Sequence, residues 1–152
     1  MNRGQWHRGE GGAVFLGTIM LLNAAQASDY ATYFPGPVNA QVVRVIDGDT
    51  FEASAAIWLG QQIAVRVRIA GIDAPELRAR CDVERQRAEA ARNYLSKRIA
   101  GGEVKLSAVR YDKYGGRVDA SVVDARGDVG EAMIRAGLAR LYDGGRRDGW
   151  CG

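Results

Sequence analysis

Hydrophobic and polar positions alternate along several short runs of this chain. The clearest is 63–70, where Val65, Val67 and Ile69 share one face and Arg66 and Arg68 the other. A period of two predicts a strand with its aliphatic face in a core. Residues 40–46 are rich in β-branched side chains and predict a second strand; Asp47-Gly48 turns the chain, and 50–55 returns it. Gly60-Gln61 marks another turn. The period then changes. Ala88, Ala91, Leu95 and Ile99 recur at intervals of three and four, predicting a helix over 82–100 with Asp82 and Glu84 in its first turn and Gly101-Gly102 at its end. Residues 103–111 and 117–124 read as paired strands joined by a loop at 112–116. Asp128-Val129-Gly130-Glu131 resembles a capping box opening a short helix, which Gly137 stops. Three strands, a helix, two strands and a helix make an α+β chain.

The N-terminus follows a different logic. Arg3 and Arg8 precede a mostly apolar run, 13–24, and Ala25-Gln26-Ala27 has the small-x-small form of a cleavage site. This predicts a signal peptide over 1–27 and a product exported to the periplasm or secreted, with no stable membrane insertion after cleavage. The alternative is an uncleaved anchor, but the run is short for a span and is interrupted by Gly17, Thr18 and Asn23. Residues 28–39, with Pro35 and Pro37, read as an extended leader, and 40–152 as one domain.

Cleavage changes the available chemistry. The only histidine is His7, and it leaves with the signal. The remainder has no imidazole for a Ser-His-Asp triad or a histidine zinc site. A metal would be held by oxygen, which points to calcium or magnesium. Two cysteines remain, Cys81 and Cys151. In an exported chain they predict a disulfide closing a loop of roughly 70 residues, with two free thiols as the alternative. The formal charge of +3 says little alone, but seven basic residues crowd 78–98. Such a patch attracts polyanions; the plainer reading is a solvated helix face with Glu84 and Glu89 as partners.

Two acidic motifs flank the strand of alternating arginines: Ile46-Asp47-Gly48-Asp49-Thr50 before it and Gly71-Ile72-Asp73-Ala74-Pro75-Glu76 after it. Asp47, Asp49 and Asp73 suit a hard cation, Arg68 and the downstream Arg117 suit a phosphate, and Glu76 suits the placing of water. A phosphodiester needs that set.

In order, IDGDT, R-x4-D-x-P-E, DKYG(G)R and the helix-like EAMIRAGLA resemble the staphylococcal nuclease (thermonuclease) family from about Gln41 to Tyr142. The resemblance implies a five-stranded OB-type β-barrel with the main helix between strands 3 and 4 and a short C-terminal helix. It implies calcium bound by Asp49, Asp73 and the backbone carbonyl of Ala74, with Asp47 close by. Threonine stands at the Ala74 position in the best-known member, and a carbonyl ligand survives that change. Glu76 would position or activate water, Arg68 and Arg117 would flank the scissile phosphate, and Lys113 and Tyr114 would touch a terminal phosphate. Tyr142 would stack on a base or pack at the surface. The implied activity is calcium-dependent hydrolysis of DNA and RNA by in-line water attack, leaving 3′-phosphates; the sequence carries no sign of an obligate protein partner. Alternatives are a catalytically inactive OB-fold nucleic-acid-binding module and an extracytoplasmic calcium-binding or interaction domain. The chain departs from the family in two places. A second glycine, Gly116, precedes Arg117 and is either absorbed as a bulge or turns the arginine away. The chain also stops at Trp150-Cys151-Gly152, where the best-known member continues into a third long helix.

Overall fold

The computed structural model describes residues 32–112 and 115–151. The expected signal peptide, the start of the leader, and Lys113 and Tyr114 lie outside the described residues. Strands β1 (Tyr33–Phe34) and β2 (Val38–Val45) enter the fold, so part of the expected leader is strand. β2, β3 (Thr50–Trp58) and β4 (Gln61–Ile69) form an antiparallel meander. After β5 (Ile72–Asp73), helix α1 (Asp82–Ile99) carries the chain to β6 (Glu103–Tyr111). β6 pairs antiparallel with both β2 and β7 (Val118–Asp124). β7 then lies parallel to β4, which closes a five-stranded barrel. The fold is the α+β, OB-type barrel that the resemblance implies. β8 (Gly127–Asp128), helix α2 (Val129–Arg135) and β9 (Arg140–Leu141) complete it.

Side-chain periodicity explains the main elements. Val67 and Ile69 of β4 and Phe51 of β3 are buried in the barrel. Ala88, Ala91, Leu95 and Ile99 form the buried stripe of α1. Removing those apolar groups from water is the main drive for packing. The last turn of α1 is fastened to β7 by Arg98 and Asp124, 2.9 Å apart and both nearly buried. The basic stretch is therefore not uniformly solvated. Nor is Glu84 a free surface partner; it is buried beside the Cys81–Cys151 disulfide. Asp128 caps α2 by accepting from the Glu131 backbone at 2.7 Å. Glu131 pairs with Arg135 at 3.0 Å, so the box has one arm.

Two features departed from the pattern. β3 runs three residues beyond Ala55, because the hairpin ladder continues where the core ends; Ile57 and Trp58 are exposed. β5 and β9 pair Ile72 with Leu141 and Asp73 with Arg140. Two residues cannot show a period, so this sheet was silent in the sequence. No helix among the described residues is long and apolar enough to cross a membrane.

Candidate active site

The turn between β2 and β3 holds the first acidic motif. Asp49 N–H donates to Asp47 Oδ1 at 3.2 Å, and Thr50 Oγ1 donates to Asp49 Oδ1 at 2.8 Å. Gly48 is required by a close approach. A Cβ there would lie 2.7 Å from the Ala91 Cβ of α1 and 2.8 Å from the Ala74 Cβ. This contact seats the turn bearing Asp47 and Asp49 against the segment that follows Asp73.

Arg68 joins the two motifs. Its guanidinium is buried, with Nη2 3.2 Å from Asp49 Oδ2 and donating to the Ile72 carbonyl at 2.8 Å. Asp73, the next residue, is also buried. Its Oδ2 accepts from Trp150 Nε1 at 3.2 Å. Its Oδ1 is buried without a hydrogen bond, although Arg147 Nε stands 3.2 Å away as an ion-pair partner. Glu76 lies at the rim, with its carboxylate 2.6 Å from Arg147 Nη1.

Arg117 pairs with buried Asp112 across the loop ahead of β7. Gly115 and Gly116 both take a left-handed backbone that glycine adopts without penalty. Arg117 then lines a cleft of about 430 Å³ with Arg66, Glu76, Gly115 and Arg147. Arg117 thus follows the second glycine, rests on Asp112 and lines the cleft that Glu76 rims. Tyr142 lies beside the site: the Arg68 and Arg147 guanidiniums sit 5.4 and 5.6 Å from its ring centre, and its hydroxyl donates to the Gly145 carbonyl at 2.8 Å.

A family profile described as "Staphylococcal nuclease homologue" matches residues 66–148, more than half of the chain. The chain belongs to this family. Relatives include an "Uncharacterized endonuclease" of Escherichia coli, 34% identical over 107 residues, covering 70% of this chain and 62% of the relative. A protein of the same description from Escherichia coli O157:H7 is 31% identical over 106 residues with the same two coverages. A "Probable endonuclease LCL3" of Paracoccidioides lutzii is 36% identical over 86 residues, covering 52% of this chain and 24% of that protein. The chain spans about three fifths of the length of the first two relatives.

In this member of the staphylococcal nuclease family the site is crowded with negative charge. Burial first, then the neighbouring Asp49 carboxylate, push Asp47 up to about 6. Asp119, on β7 opposite Arg68 in register, is also raised, by burial and then by Asp112; Arg68 and Arg117 oppose the shift. Burial works against the charge of Arg117, but the Asp112 hydrogen bond and charge, with the charges of Asp49 and Asp119, raise its pKa. Among the described residues no three of the Asp47, Asp49, Asp73 and Glu76 carboxylates converge within 4.8 Å of one another. Cys81, Glu84 and Cys151 do, but both sulfurs are spent in the disulfide.

Several residues of this site were not foreseen. Asp112 and Asp119 flank the arginines, and Arg140, Arg147 and Trp150 surround Asp73. A signal existed for the last group. Once Cys151 is joined to Cys81, five residues after Glu76, the arginines before it must run past the second acidic motif.

Proposed function

We propose that this chain is a calcium-dependent nuclease that hydrolyses phosphodiester bonds of DNA and RNA outside the cytoplasm. The observation that carries the reading is Arg68, buried and held between Asp49 and the backbone just before Asp73. A guanidinium stays charged at any working pH and presents a planar set of donors to phosphate oxygens. Arg68 would meet the scissile phosphate from one side and Arg117 from the other. Charge gathers on those oxygens as the nucleophile adds, and donors fixed beforehand lower that barrier. Glu76 would hold the attacking water through its carboxylate, and departure of the 5′-oxygen would leave a 3′-phosphate, as the family likeness implies.

The donor set fits a hard cation. It is all oxygen, Asp73 Oδ1 is buried with the Arg147 ion pair and no hydrogen bond, and crowding by Asp49 helps raise Asp47. Calcium accepts a mixed shell of carboxylates, a carbonyl and water. Asp49, Asp73 and the Ala74 carbonyl would hold it, with Asp47 close by. A bound cation supplies positive charge for the phosphoryl oxygens. The Cys81–Cys151 disulfide supports an oxidising compartment. Tyr142, whose ring lies beside Arg68, would stack on a base.

The test is digestion of single-stranded DNA and RNA by the purified, disulfide-bonded protein, with calcium or EDTA. Cleavage that needs calcium and leaves 3′-phosphate ends is expected. Binding without cleavage would return the chain to the inactive-module reading.

A further inference from the structure

We propose that Arg147, carried on the disulfide-tethered C-terminal tail, is a third phosphate-binding arginine of this site. The inference rests on the nuclease reading and adds a residue to it. The tail begins at β9 and ends at Cys151, bonded to Cys81 at the start of α1. Residues 142–149 contain three glycines and no helix or strand. Such a segment has little stiffness of its own, so pinning at both ends sets where its side chains go. One pin is the disulfide. Others are Tyr142 N–H donating to the Gly71 carbonyl at 2.9 Å, and Arg140 donating to the Asp148 carbonyl at 2.8 Å. Arg140 also lies over the Trp150 ring at 3.7 Å, and Trp150 donates to Asp73.

Arg147 is consequently oriented before any ligand arrives. Nε faces Asp73 and Nη1 faces Glu76, and among the described residues no contact uses Nη2. A guanidinium has five N–H donors in a rigid fork, so one edge can rest on carboxylates while the rest meets an anion. The cleft it lines holds two other arginines, Arg66 and Arg117, each resting on a carboxylate outside the lining, Glu52 and Asp112, and one lining carboxylate, Glu76. Three positive groups around about 430 Å³ suit a phosphate of a nucleic-acid strand next to the one between Arg68 and Arg117. A side chain already immobilised loses less freedom when the strand binds.

The experiment measures affinity for a fluorescent single-stranded DNA oligonucleotide in EDTA across a salt series, so no cleavage intervenes. Arg147→Gln is expected to weaken binding about tenfold, the loss of one charge-assisted contact. The log-log salt slope should fall by about 0.7, one phosphate contact on a single strand. Arg147→Lys keeps the charge and should restore the slope, which marks the loss as ionic rather than structural. The same Arg147→Gln loss should persist in a Glu76→Gln background. A loss that vanishes there would mean Arg147 only neutralises Glu76, and would overturn the proposal. So would an unchanged affinity and slope in Arg147→Gln while the wild type binds. No binding by the wild type would instead sink the nucleic-acid reading beneath it.

Discussion

Arg66 and Arg68, two residues apart on β4, enter arginine–carboxylate groups with opposite fates. Glu52 of β3 takes Arg44 at 2.6 Å and Arg66 at 3.1 Å, and both arginine side chains are about half exposed or more. Asp49, just ahead of β3, takes Arg68 at 3.2 Å with both side chains almost covered. Register places Glu52 opposite Arg66 and Thr50 opposite Arg68. Chemically the pairs are alike, yet water screens the first and leaves it little net worth. Burial raises the stakes of the second, because losing one partner strands a charge away from water. Position in the barrel, rather than residue type, separates a surface ion pair from a candidate phosphate site.

The sharpest test of that contrast replaces each arginine. Arg68→Ala should lower the cleavage rate by hundreds of fold, the usual cost of about 3–4 kcal/mol for a transition-state donor. It should also destabilise the fold by about 3 kcal/mol. Arg66→Ala should change stability by no more than about 0.5 kcal/mol and cost far less rate. Single-turnover cleavage and denaturant titration would check both; equal effects would break the comparison.

A second test turns the buried pair into an exposed one. Gly48→Ala puts a methyl group within 3 Å of Ala91 and Ala74. The turn must move off α1, at a cost of about 1–3 kcal/mol, taking Asp49 away from Arg68. Thermal melts and cleavage should fall together. A variant of wild-type stability would show that the close approach is not needed.

The third test is smaller and concerns pH. Asp47 is raised to about 6 in the fold, from the ordinary aspartate value of about 4. The folded state therefore binds more protons between about pH 4 and 6, so in EDTA its stability falls as pH rises through that window. Asp47→Asn removes a charge that is unfavourable at neutral pH while leaving Oδ1 to accept from Asp49. It should stabilise the protein at pH 7 by up to about 3 kcal/mol and change little near pH 3.5. Equal effects at both pH values in denaturant titrations would count against this crowding.

Much of the fold was legible. The alternation of β4 and the stripe of α1 are local periods, set by which neighbours must reach the core. Of the site, both acidic motifs, Glu76 and the two arginines were legible as residue types in order. Nothing local distinguished Arg68 from Arg66, since they share a strand face. The role of Gly48 was hidden because an Asp-Gly pair reads as a turn whether or not a helix presses on it. Arg147 and Trp150 were hidden because their partners lie more than 70 residues away.

By itself the sequence determined the five barrel strands and both helices, the even pair of cysteines, and the absence of any histidine other than His7. The tertiary structure alone decided that β7 would close on β4, that Arg68 would be covered beside Asp49, and that the tail would lie along Asp73 and Glu76. The physical reason is range. A period is written in adjacent residues, whereas burial and charge pairing depend on which distant segments the closed barrel and the disulfide bring together.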